Sequence, residues 1–262
     1  MTSLSPARGK PLLTVRGLRK SYGAVQAVRG IDLDVREREL CCLMGPNGSG
    51  KSTFFDCVTG LQQADAGTVH LDGVDITGWP MHRIAHEGKM LRSFQKTVVF
   101  TTMTPEENLI AAGQMFDFPS LLSTFSPGPA SRRRVARLRE RANHLIDMVG
   151  LSHVRDQNAG RLSFGQQKLL QFASSLMSKP RLILLDEPLA GVNPVLIERI
   201  LDSIRNVNRE LGITFIVVEH NIDAMMSLCQ RVVVLDQGAL LDQGEPEAIM
   251  RSQKVVEAYL GG

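Results

Sequence analysis

Apolar and polar residues alternate without a break over Ile31-Asp32-Leu33-Asp34-Val35, a period of two that predicts a strand with one buried face. The segment from Leu12 to about Leu71 reads mainly as strands with short turns. Within it, Leu40–Met44 is continuously apolar, as in a strand covered on both sides. It runs into a glycine-rich loop and then an amphipathic stretch, Ser52 to Val58, closed by Gly60 at a helix-ending position. The pattern changes in the middle of the chain. Val135, Leu138, Ala142, Leu145, Ile146 and Val149 recur at helical spacing, and a second helix is expected from Gln166 to Met177. Phe116–Ala130, rich in Ser, Pro and Phe, reads as a loop or broken helix. Strands return at Leu182–Leu185 and Thr214–Val218, separated by a helix around Pro194–Leu211. A hairpin is expected around Asp236-Gln237-Gly238, with terminal helices after it. Strand–helix alternation of this kind predicts a largely parallel sheet wrapped by helices. The expected organisation is an α/β core from 12–98 and 181–262, a helical subdomain at 99–180 and a flexible tail at 1–11.

Composition narrows the function classes. With 262 residues, 43% hydrophobic and 22% charged, the chain has ordinary globular make-up. Lys+Arg (30) and Asp+Glu (27) nearly balance at +3, and no long basic block occurs, so no nucleic-acid partner is expected. No stretch approaches the roughly 18–20 apolar residues that span a bilayer. The N-terminal MTSLSPARGKP lacks the apolar core of a signal peptide, so the chain is expected to stay on the side where it is made. Cys41, Cys42, Cys57 and Cys229 show no metal-ligand spacing and are expected to be small buried hydrophobes in a reducing compartment.

The chemistry begins at Gly45-Pro46-Asn47-Gly48-Ser49-Gly50-Lys51-Ser52-Thr53, a match to G-x-x-x-x-G-K-[ST] between an apolar strand and a helix. Its glycines let successive N–H groups curl around phosphate oxygens, and the helix adds its positive end. Lys51 is expected to reach the β/γ-phosphates, and the Ser52 hydroxyl to ligate Mg²⁺. Downstream, the apolar run Leu182–Leu185 ends in Asp186-Glu187. A buried strand delivers such carboxylates to the carboxyl edge of the sheet, beside the phosphate loop. Asp186 is expected to hold Mg²⁺, and Glu187 to polarise the attacking water. A strand-end helix cap is the bland alternative for these two acids, and the upstream phosphate loop favours the functional reading. Leu162-Ser163-Phe164-Gly165-Gln166 places Gln166 three residues after Ser163, which is capping-box spacing; an exposed helix start is a second anion site.

That last segment resembles the LSGGQ signature of ATP-binding-cassette (ABC) ATPases. The resemblance covers about Leu12 to Gly261 and implies a P-loop NTPase core with a mostly parallel sheet, an N-terminal antiparallel β subdomain and an inserted α-helical subdomain. It implies ATP and Mg²⁺ as ligands. It also implies a head-to-tail dimer in which Ser163, Phe164, Gly165 and Gln166 seal the ATP bound by a second ATPase subunit. Tyr22 stands where the family stacks an aromatic on adenine. Gln95, in Arg92-Ser93-Phe94-Gln95, matches the glutamine that senses Mg²⁺ and the water near the membrane partner. His220 matches the histidine that touches the γ-phosphate, and Ala190-Gly191-Val192-Asn193 the stretch that crosses the dimer interface. Two departures stand out: Phe164 replaces the first signature glycine, and Asn193 stands where many relatives carry Asp. LSFGQQK, DEPLAGVNP, VVEHNIDAMMSLCQRVVVLDQG, the ending VVEAYLGG and the extra segment near Gly113–Arg134 are similar to ATP-binding subunits of branched-chain amino-acid and amide importers. For such a subunit the implied partners are transmembrane permease subunits, a sister or identical ATPase and, indirectly, a substrate-binding protein, at the cytoplasmic face of the membrane. The ATPase of the lipopolysaccharide exporter is the second resemblance. A soluble cassette ATPase acting on DNA or ribosomes and a small-molecule P-loop kinase are the other classes. The former usually carries two cassettes or basic arms, absent here, and the latter would lack Ser163–Gln166, Gln95 and His220 in this order.

Overall fold

A computed structural model describes residues 10–93, 98–117 and 129–260. The alternating segment opens a four-stranded antiparallel sheet ordered β2-β1-β4-β5, from β1 (Pro11–Tyr22), β2 (Val25–Arg36), β4 (Ala66–Leu71) and β5 (Val74–Asp75). Ile31, Leu33 and Val35 point into the core while Asp32 and Asp34 face out. Pro11, assigned from sequence to the tail, begins β1; a proline is tolerated at the first residue of a strand.

The second sheet has six strands in the order β10-β9-β3-β8-β7-β6: β3 (Leu40–Met44), β6 (Met90–Arg92), β7 (Leu182–Asp186), β8 (Thr214–Val218), β9 (Arg231–Asp236) and β10 (Ala239–Gly244). β9, β3, β8, β7 and β6 run parallel, and the Gln237-Gly238 turn folds β10 back antiparallel onto β9. Each central strand is buried along its whole length because both faces are covered. Cys42, Met44, Ile183, Leu185, Phe215 and Val217 join one core layer; Cys41, Leu43, Leu182, Leu184, Ile216 and Val218 join the other. A period of two therefore survives inside runs that look uniformly apolar in the sequence.

Helix α1 (Lys51–Val58) follows β3 and buries Phe54 and Phe55 against the antiparallel sheet's layer. A short helix, α2 (Met81–Arg83), precedes a π-turn and β6. Between β6 and β7 lie α3 (Pro105–Asp117), α4 (Pro129–Met148) and α5 (Phe164–Leu176). Leu138, Ala142, Leu145, Ile146 and Val149 are buried, as their helical spacing requires, with Val149 just past the end of α4. The Phe116–Ala130 loop is corrected at its ends: residues 116–117 belong to α3 and 129–130 to α4, and 118–128 lie outside the described residues. Helix α6 (Pro194–Leu211) crosses from β7 to β8, α7 (Ile222–Leu228) from β8 to β9, and α8 (Pro246–Met250) and α9 (Gln253–Leu260) follow β10.

All four cysteines are buried, as expected, but one pair is not reduced. Cys41 and Cys57 are free and buried, but Cys42 on β3 and Cys229, just after α7, are bonded as a disulfide with Cα atoms 5.9 Å apart. Their sequence separation of 187 hides a pair that the fold brings together. Phe215 is fully buried on β8 and meets Phe172 of α5 with ring centroids 6.1 Å apart. Phe215→Ala is expected to lower the unfolding free energy by about 3–5 kcal/mol in a denaturant titration. A loss below about 1 kcal/mol would mean that this layer repacks without it.

Candidate nucleotide-hydrolysis site

The parallel register sets Leu43, Val218 and Asp186 side by side on β3, β8 and β7. The chain therefore leaves these three strands at one edge of the sheet, carrying the 45–53 loop, Glu219-His220 and Glu187 outward together. Helix α1 begins at Lys51 with Gly50 as its N-cap at φ 98°, a left-handed conformation that disfavours a side chain. A β-carbon at Gly50 would also collide with the Ala27 carbonyl of β2. On the loop's other side, Gly238 N–H donates to the Ser49 carbonyl at 3.0 Å. Ser49 and Lys51 are buried; Asn47, Gly48 and Ser52 are exposed, and Pro46, Gly50 and Thr53 half-buried. Lys51 Nζ donates to the Gly45 carbonyl (2.7 Å) and the Pro46 carbonyl (3.0 Å). Burial pushes the Lys51 pKa down, and the charges of Glu187 and Asp186 act against that shift. A phosphate offered to Lys51 would replace neutral carbonyl acceptors by charged ones, a stronger hydrogen bond.

Asp186 is buried and its Oδ2 accepts from Arg92 Nη2 at 2.7 Å; Arg92 Nη1 also contacts Asp56. Asp186 N–H donates to the Ser93 hydroxyl at 3.2 Å, so the end of β6 is fastened to the end of β7. Glu187 sits at φ 50°, uncommon for a residue with a side chain and of the kind that clusters at functional sites. Its N–H is held by the Val218 carbonyl at 2.9 Å. Glu187 Oε1 lies 3.1 Å from His220 Nε2, so the structure brings these two predicted residues into direct contact. Tyr22 is exposed where β1 turns into β2, pairing with Val25. Gln95 lies outside the described residues.

Ser163 caps the 13-residue helix α5 with a complete capping box. Its hydroxyl accepts from Gln166 N–H (3.3 Å), and Gln166 Oε1 accepts from Ser163 N–H (2.9 Å). Phe164 is exposed, whereas Gly165 is buried so tightly that a β-carbon would stand 2.5 Å from Leu196 Cδ1. Among the described residues, no hydrogen bond joins Ser163–Gln166 to the chain's own 45–53 loop.

Three residues matter here that the sequence reading passed over. Arg92 neutralises Asp186. Buried Glu219 accepts from Leu189 N–H (2.7 Å) and His220 N–H (3.1 Å), tying the segments after β7 and β8 together. Lys168 Nζ donates to the carbonyls of Pro188 (3.1 Å) and Ala190 (2.7 Å), joining α5 to the segment behind Glu187. Glu219 carried a readable signal, an acid directly after an apolar strand; the other two are ordinary surface types in the sequence. For Mg²⁺ the donor chemistry fits. A serine hydroxyl and a carboxylate are hard oxygen donors, and this ion usually takes one or two such groups plus phosphate oxygens and water. No group of three or more His, Cys, Asp or Glu that could hold a metal occurs among the described residues, so protein side chains alone do not form a closed cage.

A phosphate loop and paired acids on one edge of a mostly parallel sheet, with a helical block between β6 and β7, define a P-loop ATPase of the cassette type. Comparison with known proteins agrees: the ABC transporter family profile matches residues 28–190, and the chain belongs to that family. It is 38% identical to the high-affinity branched-chain amino acid transport ATP-binding protein BraF of Pseudomonas aeruginosa, over 96% of this chain and 98% of the relative. It is 35% identical to LivG of Salmonella typhimurium, which carries the same description, over equal shares. Among solved structures it superposes on the ADP conformation of an ABC-transporter cassette with TM-score 0.82 at 31% identity, covering 97% of this chain and 100% of that one. A nucleotide-free cassette gives TM-score 0.81 at 30% identity with the same coverage. The chain is thus an ABC ATPase, and a permease is the partner its family implies.

Arg92 faces two carboxylates, and its side chain and that of Asp186 are each 8% exposed. Arg92→Met is therefore expected to cost about 3 kcal/mol of stability, because it leaves buried charge unpaired. Urea unfolding checks this, and a stability within about 0.5 kcal/mol of wild type would contradict it.

Proposed function

We propose that this chain is the ATP-hydrolysing subunit of an importer for branched-chain or related amino acids and amides, working as a dimer at the cytoplasmic face of the membrane. The observation that carries the transport assignment is near-full-length similarity to ATP-binding proteins described as serving branched-chain amino acid transport. No helix among the described residues is long and apolar enough to cross a membrane, so translocation falls to separate permease subunits. In this reading residues 12–98 and 181–262 bind ATP and 99–180 are the helical subdomain.

Hydrolysis is positioning plus electrostatics. Tyr22 offers a face to adenine, and Gly45, Pro46, Asn47, Gly48, Ser49, Gly50, Ser52 and Thr53 wrap the phosphates. Lys51 and His220 face the negative charge that spreads over the transferring phosphoryl group. Glu187, held by the His220 ring, orients the water and takes its proton. Ser52, Asp186 and Gln95 would hold Mg²⁺, which when bound offsets phosphate charge. Ser163, Phe164, Gly165 and Gln166 close on the ATP of a second subunit, identical or a sister chain, because the exposed start of α5 offers unspent N–H groups to an anion. ATP then favours the closed dimer and hydrolysis releases it, a population shift set by contacts made to one state alone. The permease converts closure into uptake of cargo that a substrate-binding protein supplies.

Glu187→Gln is expected to keep ATP binding and lower kcat at least a hundredfold, read by steady-state phosphate release; unchanged turnover would remove Glu187 from the chemistry. Ser163→Arg should leave ATP binding to each subunit intact while abolishing ATP-driven dimerisation and turnover. Wild-type hydrolysis in that variant would defeat the two-subunit site. For the transport assignment, the tagged chain is captured from solubilised native membranes and its partners identified. Two permease chains, a second cassette ATPase and an amino-acid-binding protein are expected. Lipopolysaccharide-exporter components, or no membrane partner at all, would overturn the importer.

A further inference from the structure

Helix α9 contributes nothing to the site described so far, yet it reaches the phosphate loop. Ser252 Oγ donates to Asp242 Oδ2 of β10 at 2.6 Å and fixes the start of the helix, and Val255 buries its inner face. One turn further on, the Tyr259 hydroxyl oxygen accepts the Gly45 N–H at 2.9 Å. Gly45 is the first residue of the loop. It is buried at φ 147°, and a β-carbon there would collide with the Leu235 carbonyl and stand 2.6 Å from Ser49 Oγ. Its own carbonyl accepts from Lys51 Nζ at 2.7 Å. Tyr259 is therefore two hydrogen bonds away from the lysine that must meet phosphate. Burial raises the pKa of its hydroxyl, the Gly45 hydrogen bond opposing, so the group stays neutral at working pH.

We propose that Tyr259 is a positioning residue of the phosphate loop. The C-terminal helix clamps Gly45 from outside, so that the loop keeps its shape when Lys51 exchanges the Gly45 and Pro46 carbonyls for a phosphate group. Without the clamp, the Gly45 N–H loses its acceptor and the loop entrance can rotate whenever Lys51 lets go. The proposal rests on residues 45–53 binding the phosphates of ATP.

Tyr259→Phe keeps the ring and Val255, the buried contact of α9, and removes the acceptor. A single hydrogen bond of this kind corresponds to roughly a three- to tenfold change in affinity. Binding of a fluorescent ATP analogue to the full chain is expected to weaken by that factor. KM for ATP should rise in parallel and kcat should stay within about twofold of wild type. Lys254→Ala, on the exposed side of the same helix, should bind as wild type. Unchanged affinity in Tyr259→Phe, or a fall in kcat with KM untouched, would overturn the clamp. So would an equal loss in Lys254→Ala, since the effect would then belong to helix docking and not to the hydroxyl. Lys51→Ala separates the two levels. Undiminished binding there sinks the phosphate-loop reading itself; lost binding there with a normal Tyr259→Phe sinks the clamp alone.

Discussion

The site depends on the parallel register of three central strands. Leu43, Val218 and Asp186 stand in one row across β3, β8 and β7, so whatever follows each of them in sequence emerges at the same height on the same edge. The phosphate loop, Glu219-His220 and Glu187 are neighbours for that reason. A slip of one residue in β7 would turn Asp186 to the other face of the sheet and Glu187 away from His220. Two-sided burial opposes the slip: every residue of the three strands is buried.

On that frame the connections behind the sheet edge are fastened to one another rather than left to the loops' own preferences. Glu187 is held at φ 50° by the Val218 carbonyl, and Glu219 reaches across to Leu189. Lys168 then binds the start of α5 to the carbonyls of Pro188 and Ala190, and Gly165 lies against Leu196 at the head of α6. The helix that begins after Ser163 and the segment that follows Glu187 are in this way one packed unit.

The readable part of this architecture was the part written locally. Leu40–Met44 with its glycine loop, the Asp186-Glu187 strand end and the helix over Pro194–Leu211 each have their cause within a few residues of themselves, and the structure places the elements there. The capping box at Ser163 is likewise a relation between positions three apart. What stayed hidden depends on separations that no periodicity records. Arg92 meets Asp186 across 94 residues, Cys42 meets Cys229 across 187, and Tyr259 meets Gly45 across 214. The end of the chain was legible as terminal helices, which the structure has, but not as a neighbour of the glycine loop, because nothing in Gln253–Leu260 itself points back to the loop it touches.

The two departures from the family's pattern, Asn193 and Phe164, can be weighed on the same physical terms. Asn193 is the N-cap of α6, its side chain accepting from Val195 N–H at 3.0 Å. Asn and Asp are nearly equal in that role, so the exchange removes a charge and leaves the helix start as it was. Phe164 does more than occupy a glycine's place. Its ring lies 5.3 Å from Lys168 Nζ, and its edge sits 3.4 Å from where a Gly191 β-carbon would be. The ring therefore adds a cation–π attraction at the ammonium that joins α5 to the segment behind Glu187. Burial lowers the Lys168 pKa, and the charges of Glu219 and Glu187 act against that shift. A glycine at 164 would remove that contact. The substitution therefore ties the first turn of α5 to the segment behind Glu187 by one more contact, and the capping box between Ser163 and Gln166 is kept.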